Sequence, residues 1–376
     1  MLDRRQFVTA ASLAAAGIAA SGWAAAAGKA RQPLKILMLG GTRFIGVPIT
    51  ELALARGHTV TFFNRGKTNA DLLPQVERIQ GDRNGPLDGL KDRKWDAVID
   101  TSAYVPRTVK ASAELLAPNV GQYLLVSSIS VYPNFAQPRT ESSAVGTLKD
   151  ETVEKVDNDT YGPLKALCEK AAEAAMPGRV TVVRPGLIVG PHDSTDRFTY
   201  WPARAARGGE MLAPGTPRDR IQIIDARDLA AFALGALERH VYGTFNLVSP
   251  PGMFTMGDVV NESIRAAKSL AKPNPPPRAV WASAPFLEKQ KVEGWSDMPV
   301  WIAAQGDDAA FADTSSARAL QEGLKITPIR KTVYDTLAWH LQRPESERTK
   351  LKAGLAPDRE QEVLAAWRTE SNSKPA

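Results

Sequence analysis

Leu34-Lys35-Ile36-Leu37-Met38-Leu39-Gly40-Gly41-Thr42-Arg43-Phe44-Ile45-Gly46 is an apolar run that breaks on two glycines and reopens on a third. Residues 34–39 read as a buried strand, 44–56 as a helix stopped by Gly57, and 58–63 as a second strand rich in β-branched and aromatic residues. Glycines let the backbone turn sharply and approach a ligand, while the helix start offers unpaired amide donors and a positive dipole. The loop is therefore expected to cradle a dinucleotide pyrophosphate, with Gly40, Thr42, Arg43, Phe44, Ile45 and Gly46 as its contacts.

The same alternation continues downstream. Short apolar runs at 76–79, 97–100, 123–127 and 180–183, several separated by helical stretches, predict parallel strands buried on both faces. With right-handed crossovers the expected fold class is α/β, a Rossmann-type doubly wound parallel sheet with a smaller C-terminal substrate lobe. The dinucleotide-binding domain is expected over 31–250. Within it, 186–220 read as loops and short helices contributing to the substrate lobe. Residues 221–224 and 243–248, with a helix at 225–239 between them, read as returns to the sheet. The lobe proper is expected over 251–376, with Trp281, Trp295, Trp301 and Trp339, a stiff proline-rich connector at 273–277 and a last helix at 357–369 burying Leu364 and Trp367.

Composition narrows the function. The 376 residues are 43% apolar, enough for a continuous core. The 47 basic and 41 acidic residues give a net charge of +6 without a block of like charges, which does not indicate nucleic-acid binding. One cysteine, Cys168, excludes an intrachain disulfide and a multi-thiolate metal site, and it reads as a packed helix residue. His58, His192, His240 and His340 show no ligand spacing, so no metal is expected.

Asp3-Arg4-Arg5-Gln6-Phe7-Val8 precedes an alanine-rich, weakly apolar run over 9–27. This resembles a twin-arginine export signal, so residues 1–30 are expected to be a signal peptide, the twin-arginine machinery a partner and the periplasm the location. No later stretch has the length of a stable membrane span.

Chemistry concentrates at Tyr161-Gly-Pro-Leu-Lys165. A tyrosine and a lysine four residues apart share a helix face, so the ammonium is expected to depress the phenol's pKa and make it a usable acid or base. Asn64 and Arg65 stand where an acidic ribose-binding residue would otherwise end the second strand. With Arg43 they favour NADP over NAD, because guanidinium groups clamp a 2′-phosphate.

Together these motifs resemble those of the extended short-chain dehydrogenases/reductases, and within them the NAD-dependent epimerase/dehydratase family. The ordered set is the glycine loop, Gly81-Asp82-Arg83, Ser127-Ser128 with Val131-Tyr132, the Tyr161/Lys165 pair, and Arg184-Pro185 leading to Gly190-Pro191. The resemblance covers residues 34–250 and implies roles by position. Ser128 would hold the reacting oxygen, Tyr161 would be the acid/base, and Lys165 would bind the nicotinamide ribose and tune Tyr161. Asp82 would contact adenine with Arg83 beside it, and Thr101, Ser102 and Ala103 would line the cofactor channel. Arg43 replaces the family's usual glycine, and Gly-Gly-Thr-Arg-Phe-Ile-Gly resembles a branch with chloroplast RNA-associated members.

The implied activity is redox chemistry on a small-molecule substrate, such as a sugar, by a Ser-Tyr-Lys set. Trp201, Trp295 and Trp301 are candidates for stacking on it, and His192, Asp193, Asp196 and Arg197 for polar contacts. Ser127 and Ser130 read as structural. Export favours a reaction that returns its cofactor unchanged, as an epimerase or dehydratase does. The alternatives are a non-catalytic nucleotide- or RNA-binding Rossmann protein and a reductase of aromatic or quinone-like substrates. Oligomeric state stays open, a homodimer being one candidate.

Overall fold

The computed structural model describes residues 28–373; the twin-arginine segment, apart from residues 28–30, lies outside them. Strands β1 (Lys35–Leu39), β2 (Thr59–Asn64), β3 (Glu77–Gln80), β4 (Trp95–Asp100), β5 (Val120–Val126), β6 (Val180–Pro185) and β11 (Gly243–Leu247) form one parallel sheet, in the order β11-β6-β5-β4-β1-β2-β3. The order reverses between β1 and β4. In open α/β sheets that switch point opens the crevice where ligands sit.

Helices cover both faces. On one, α1 (Gly46–Arg56) packs with a helix at Ala226–Glu238 through Ile49, Leu52, Leu229, Ala230 and Ala233. On the other, α2 (Pro106–Leu116) packs with α3 (Tyr161–Ala175). Alanine-rich sequence favours helix in α3, and Leu164, Cys168 and Ala172 recur every four residues on its buried side. Cys168 is enclosed there, and burial pushes its thiol pKa up to about 12.

Gly162 lets α3 approach the turn Ile129–Val131. A Cβ at Gly162 would stand 2.0 Å from the Ser130 carbonyl oxygen, so this position admits no side chain without moving the helix. The contact brings the α3 start, Tyr161, against the Ser128 turn.

Two expectations for the second half need correction. Residues 221–224 do not return to the main sheet. Strand β9 (Arg220–Ile221) pairs with β12 (Phe254–Thr255), and β10 (Ile223–Asp225) pairs with β7 (Leu187–Val189). Nor is 186–220 all loop and helix, because β8 (Glu210–Pro214) pairs in parallel with β13 (Arg278–Ala282). The cause is tertiary: these short strands find partners far away in sequence, which no local period reports.

A separate apolar cluster joins Leu187, Phe198, Trp201, Met211 and Leu212 to Val259, Phe286, Trp301, Val333 and Leu364. The last helix, Pro357–Ser373, seals it: Leu364 is fully buried and Trp367 packs its ring 4.7 Å from that of Phe286. Glu360 on the same helix enters the core, accepting from Arg204 Nε at 2.6 Å and from the Leu212 amide at 3.0 Å.

Removing one partner of a buried, hydrogen-bonded ion pair strands the other charge. Glu360→Ala should lower unfolding stability by about 3–5 kcal/mol, read as a fall in the urea midpoint. An unchanged midpoint would show that the Arg204 pairing does not anchor the last helix.

Candidate active site at the sheet's carboxyl edge

The glycine loop is built from backbone geometry that side chains resist. Gly40 and Gly41 have φ of 100° and 88°, and Cβ atoms there would lie 2.6 Å from Thr101 Oγ1 and from Met38 Sδ. At Gly46 a Cβ would meet the Gly41 carbonyl oxygen at 2.2 Å. Close packing therefore requires all three glycines. The Thr42, Arg43, Phe44 and Ile45 amides donate to no protein acceptor among the described residues, directly ahead of α1. Four free donors at a helix start suit an anionic diphosphate.

Neighbouring side chains hold the loop rather than fill it. Asn64 Nδ2 donates to the Gly40 carbonyl at 3.0 Å, and Asn69 Nδ2 to that of Thr42 at 2.7 Å. Thr101 Oγ1 accepts from the Gly41 amide at 3.2 Å and donates to the Leu39 carbonyl at 3.0 Å; Ser102 Oγ donates to that same carbonyl at 3.2 Å. Asn64, Thr101 and Ser102 thus brace the cradle with the polar atoms assigned to the cofactor. Arg43 is exposed and reaches Thr68 Oγ1 at 3.2 Å, toward the loop after β2 that carries exposed Arg65. Neither guanidinium has a carboxylate partner among the described residues.

Asp82 and Arg83 diverge. Asp82 is exposed and accepts from the Asn84 amide at 2.9 Å. Arg83 turns inward, donating to Asp100 Oδ1 at 2.6 Å and Ser112 Oγ at 2.7 Å. Its guanidinium is consumed by the fold, which corrects its placement among cofactor contacts.

Ser128, Tyr161 and Lys165 converge beside this crevice, where β4 and β5 end. Ser128 ends the extended backbone after β5, and its Oγ accepts from the Ser130 amide at 3.0 Å. Ser127 points the other way, bonding buried Glu169, which pairs with Arg184 at 2.6 Å. Lys165 is 4% exposed and donates to the carbonyls of Ala103 at 2.7 Å and Val126 at 2.6 Å. An ammonium has three N–H donors, so one is left. Burial pushes the Lys165 pKa down.

The expected depression of the Tyr161 phenol is not what the site does. Burial pushes its pKa up and the neighbouring Tyr104 phenol adds to the rise; the Ser128 hydroxyl and the Arg197 charge work against it. Lys165 spends its charge on the carbonyls of Ala103, in the loop after β4, and Val126, at the end of β5, instead. Sequence reading missed Tyr104, although it directly follows Thr101-Ser102-Ala103 at a strand end. Its ring is 49% exposed, 6.4 Å from that of Tyr161 and 5.4 Å from Lys165 Nζ.

The second lobe holds the tryptophans and the loop after Gly190-Pro191. Trp201 and Trp301 are core residues whose indole N–H groups donate to the Pro299 carbonyl at 2.8 Å and to Asp219 at 2.7 Å. Trp295 is only partly buried and lies under the Arg197 guanidinium at 5.2 Å. Asp196 is held by Arg343 at 2.7 Å and the Lys352 amide at 3.1 Å, and the His192 ring packs on Trp339 at 5.5 Å. Those two therefore fasten the loop, while the Arg197 charge works to lower the Tyr161 pKa.

Comparison with known proteins agrees with this architecture. The chain is 29% identical over 312 residues to the epimerase family protein SDR39U1 of Bos taurus, covering 76% of this chain and 98% of that one. It is 27% identical over 220 residues to the chloroplast stem-loop binding protein of 41 kDa b of Arabidopsis thaliana; that match covers 54% of this chain and 55% of the relative. Among solved structures, the Bordetella bronchiseptica enzyme WbmH in complex with NAD+ superposes with a TM-score of 0.59 at 17% identity, covering 82% and 99% of the two chains. Human SDR39U1 with NADPH gives 0.53 at 22% identity, covering 81% and 99%. The model of the NAD dependent epimerase/dehydratase family matches residues 36–247, the whole of the sheet except the first residue of β1, and the chain belongs to that family.

Proposed function

We propose that the protein is an NADP(H)-preferring oxidoreductase of the epimerase/dehydratase type that works on a sugar or related hydroxyl compound through Ser128, Tyr161 and Lys165. The observation that carries this reading is the meeting of a half-buried phenol, a serine hydroxyl and an enclosed ammonium beside a cradle of unpaired amides. A bound nicotinamide dinucleotide would supply the hydride acceptor and donor. The amides of 42–45 hold its diphosphate, and the remaining Lys165 N–H binds a ribose hydroxyl. Exposed Arg43 and Arg65 receive a 2′-phosphate. Tyr161 moves the proton of the substrate hydroxyl, while Ser128 Oγ holds the same oxygen in line.

Support for a nucleotide-sugar substrate comes from structural neighbours such as MoeE5 in complex with UDP-glucose and NAD. We further propose export by the Arg4-Arg5 signal, with a cofactor regenerated within each turnover. N-terminal sequencing of protein from the periplasmic fraction should begin near residue 28; an intact chain confined to the cytoplasm would remove the export proposal.

Arg43→Ala with Arg65→Ala should weaken NADPH binding about tenfold or more and leave NADH binding nearly unchanged, as read by fluorescence titration. Equal losses for both dinucleotides would contradict the 2′-phosphate assignment. Tyr161→Phe should keep dinucleotide affinity and lose turnover by at least about 100-fold. Because the Tyr161 pKa is raised, the phenol stays protonated through neutral pH. Carbonyl reduction, which needs the acid, should be flat there and fall at high pH; alcohol oxidation, which needs the phenolate, should rise with pH. A reversed pH dependence would assign the proton transfer to another group.

A further inference from the structure

We propose that Glu169 is the positioning residue for Tyr161: it fixes α3 along its axis on the end of β5, and so sets the phenol against Ser128. This role rests on the Ser128 and Tyr161 reading above and adds the group that holds the two in register. Tyr161, Lys165 and Glu169 recur every four residues and therefore share one stripe of α3. Successive turns of that stripe grip successive residues of the strand end. Lys165 donates to the Val126 carbonyl at 2.6 Å, and Glu169 accepts from the Ser127 hydroxyl. Ser127 is also pinned through its main chain, its amide donating to the Val183 carbonyl of β6 at 2.7 Å.

Arg184, the residue after Val183, closes a two-point fork on the same carboxylate, with Nε at 3.0 Å and Nη2 at 2.6 Å. Its remaining nitrogen, Nη1, donates to the Tyr132 hydroxyl at 3.1 Å, just past the turn Ile129–Val131. One carboxylate thus joins the helix to β6, to the strand end before Ser128 and to the turn after it. The backbone at Ser128 is extended, so side chains of neighbouring residues point to opposite sides. Holding Ser127 inward aims Ser128 at the crevice.

Apolar burial does not fix the helix along its axis. Leu164, Cys168 and Ala172 repeat at the same interval of four, and apolar contact is non-directional, so a slip of one turn keeps an apolar stripe on the sheet. Gly162 permits the approach to the Ser130 carbonyl but carries no side chain to enforce it. The same slip would separate Glu169 from Arg184 and leave two buried charges without partners, which is strongly unfavourable. Buried ion pairs add little net stability over apolar residues of the same volume, and specifying a register is their best-attested use.

The test uses the full chain with tyrosine isotope-labelled at the ring Cζ, the Tyr161 resonance being assigned by its loss in Tyr161→Phe. That carbon reports hydrogen bonding of the phenol at neutral pH, so Ser128→Ala should move it in the otherwise wild-type chain. In a Glu169→Gln background the movement should shrink to about half or less, because an amide cannot take the Arg184 fork and the Ser127 hydroxyl together. Ser127→Ala, which spares the ion pair, should shrink it as well, and decides alone if the Glu169→Gln chain does not fold. An undiminished response to Ser128→Ala in these backgrounds overturns the proposal and leaves Glu169 to stability alone, read separately from the urea midpoint. A Tyr161 resonance that ignores Ser128→Ala in the otherwise wild-type chain refutes the meeting of Ser128 with Tyr161 itself, and the register role falls with it.

Discussion

A single buried carboxylate, Asp100, ties together the strand ends on which this site is built. At the end of β4 and fully enclosed, it accepts from Arg83 Nη1 at 2.6 Å, the Ser102 amide at 2.9 Å and the Tyr123 hydroxyl at 2.8 Å. The segment after β3, the loop after β4 and strand β5 are fastened through it, and Arg83 extends the knot to Ser112 on α2. A charge in this position is tolerable only because every oxygen is satisfied and a guanidinium is paired with it. The loop so fixed carries Thr101 and Ser102 to the Leu39 carbonyl, and Tyr104 to the mouth of the crevice.

The charges around Tyr161 are divided in a way that spacing alone does not convey. Lys165 lies one helical turn from Tyr161, yet its ammonium is drawn under the loop by the carbonyls of Ala103 and Val126. It serves as a strut between β4 and β5 and retains one donor. The positive charge that acts on the phenol comes from Arg197, on a loop fastened by Asp196 to the last third of the chain. The groups that act on the phenol thus come from both lobes.

The doubly wound core was legible because its signals are local. Strands 34–39 and 58–63 and the helix between them read correctly from apolar runs and glycine punctuation, since β1, β2 and α1 are each decided by which side chains are buried. Ser128 and Tyr161 were locatable because both lie at starts or ends of such elements. Strands β8, β9 and β10 were misread because their partners come from 278–282, 254–255 and 187–189. Arg83 was misassigned for a related reason: a guanidinium after a strand reads alike whether it faces solvent or a buried carboxylate. Whether Trp295 or Trp301 faces the cleft was equally hidden, because an indole's burial depends on what packs over it.

By itself the sequence determined the order of strands and helices in the doubly wound core, the glycines that the cradle demands, and the places of Ser128, Tyr161 and Lys165 after a strand and on a helix. Those follow from local sterics and burial periods, which neighbouring residues carry. Only the tertiary structure decided the electrostatics: that Asp100 absorbs Arg83, that Lys165 spends two donors on backbone carbonyls, and that the Arg197 charge works to lower the Tyr161 pKa. Charge interactions depend on distance and solvent exposure between groups remote in the chain, and both quantities exist only once the lobes are packed.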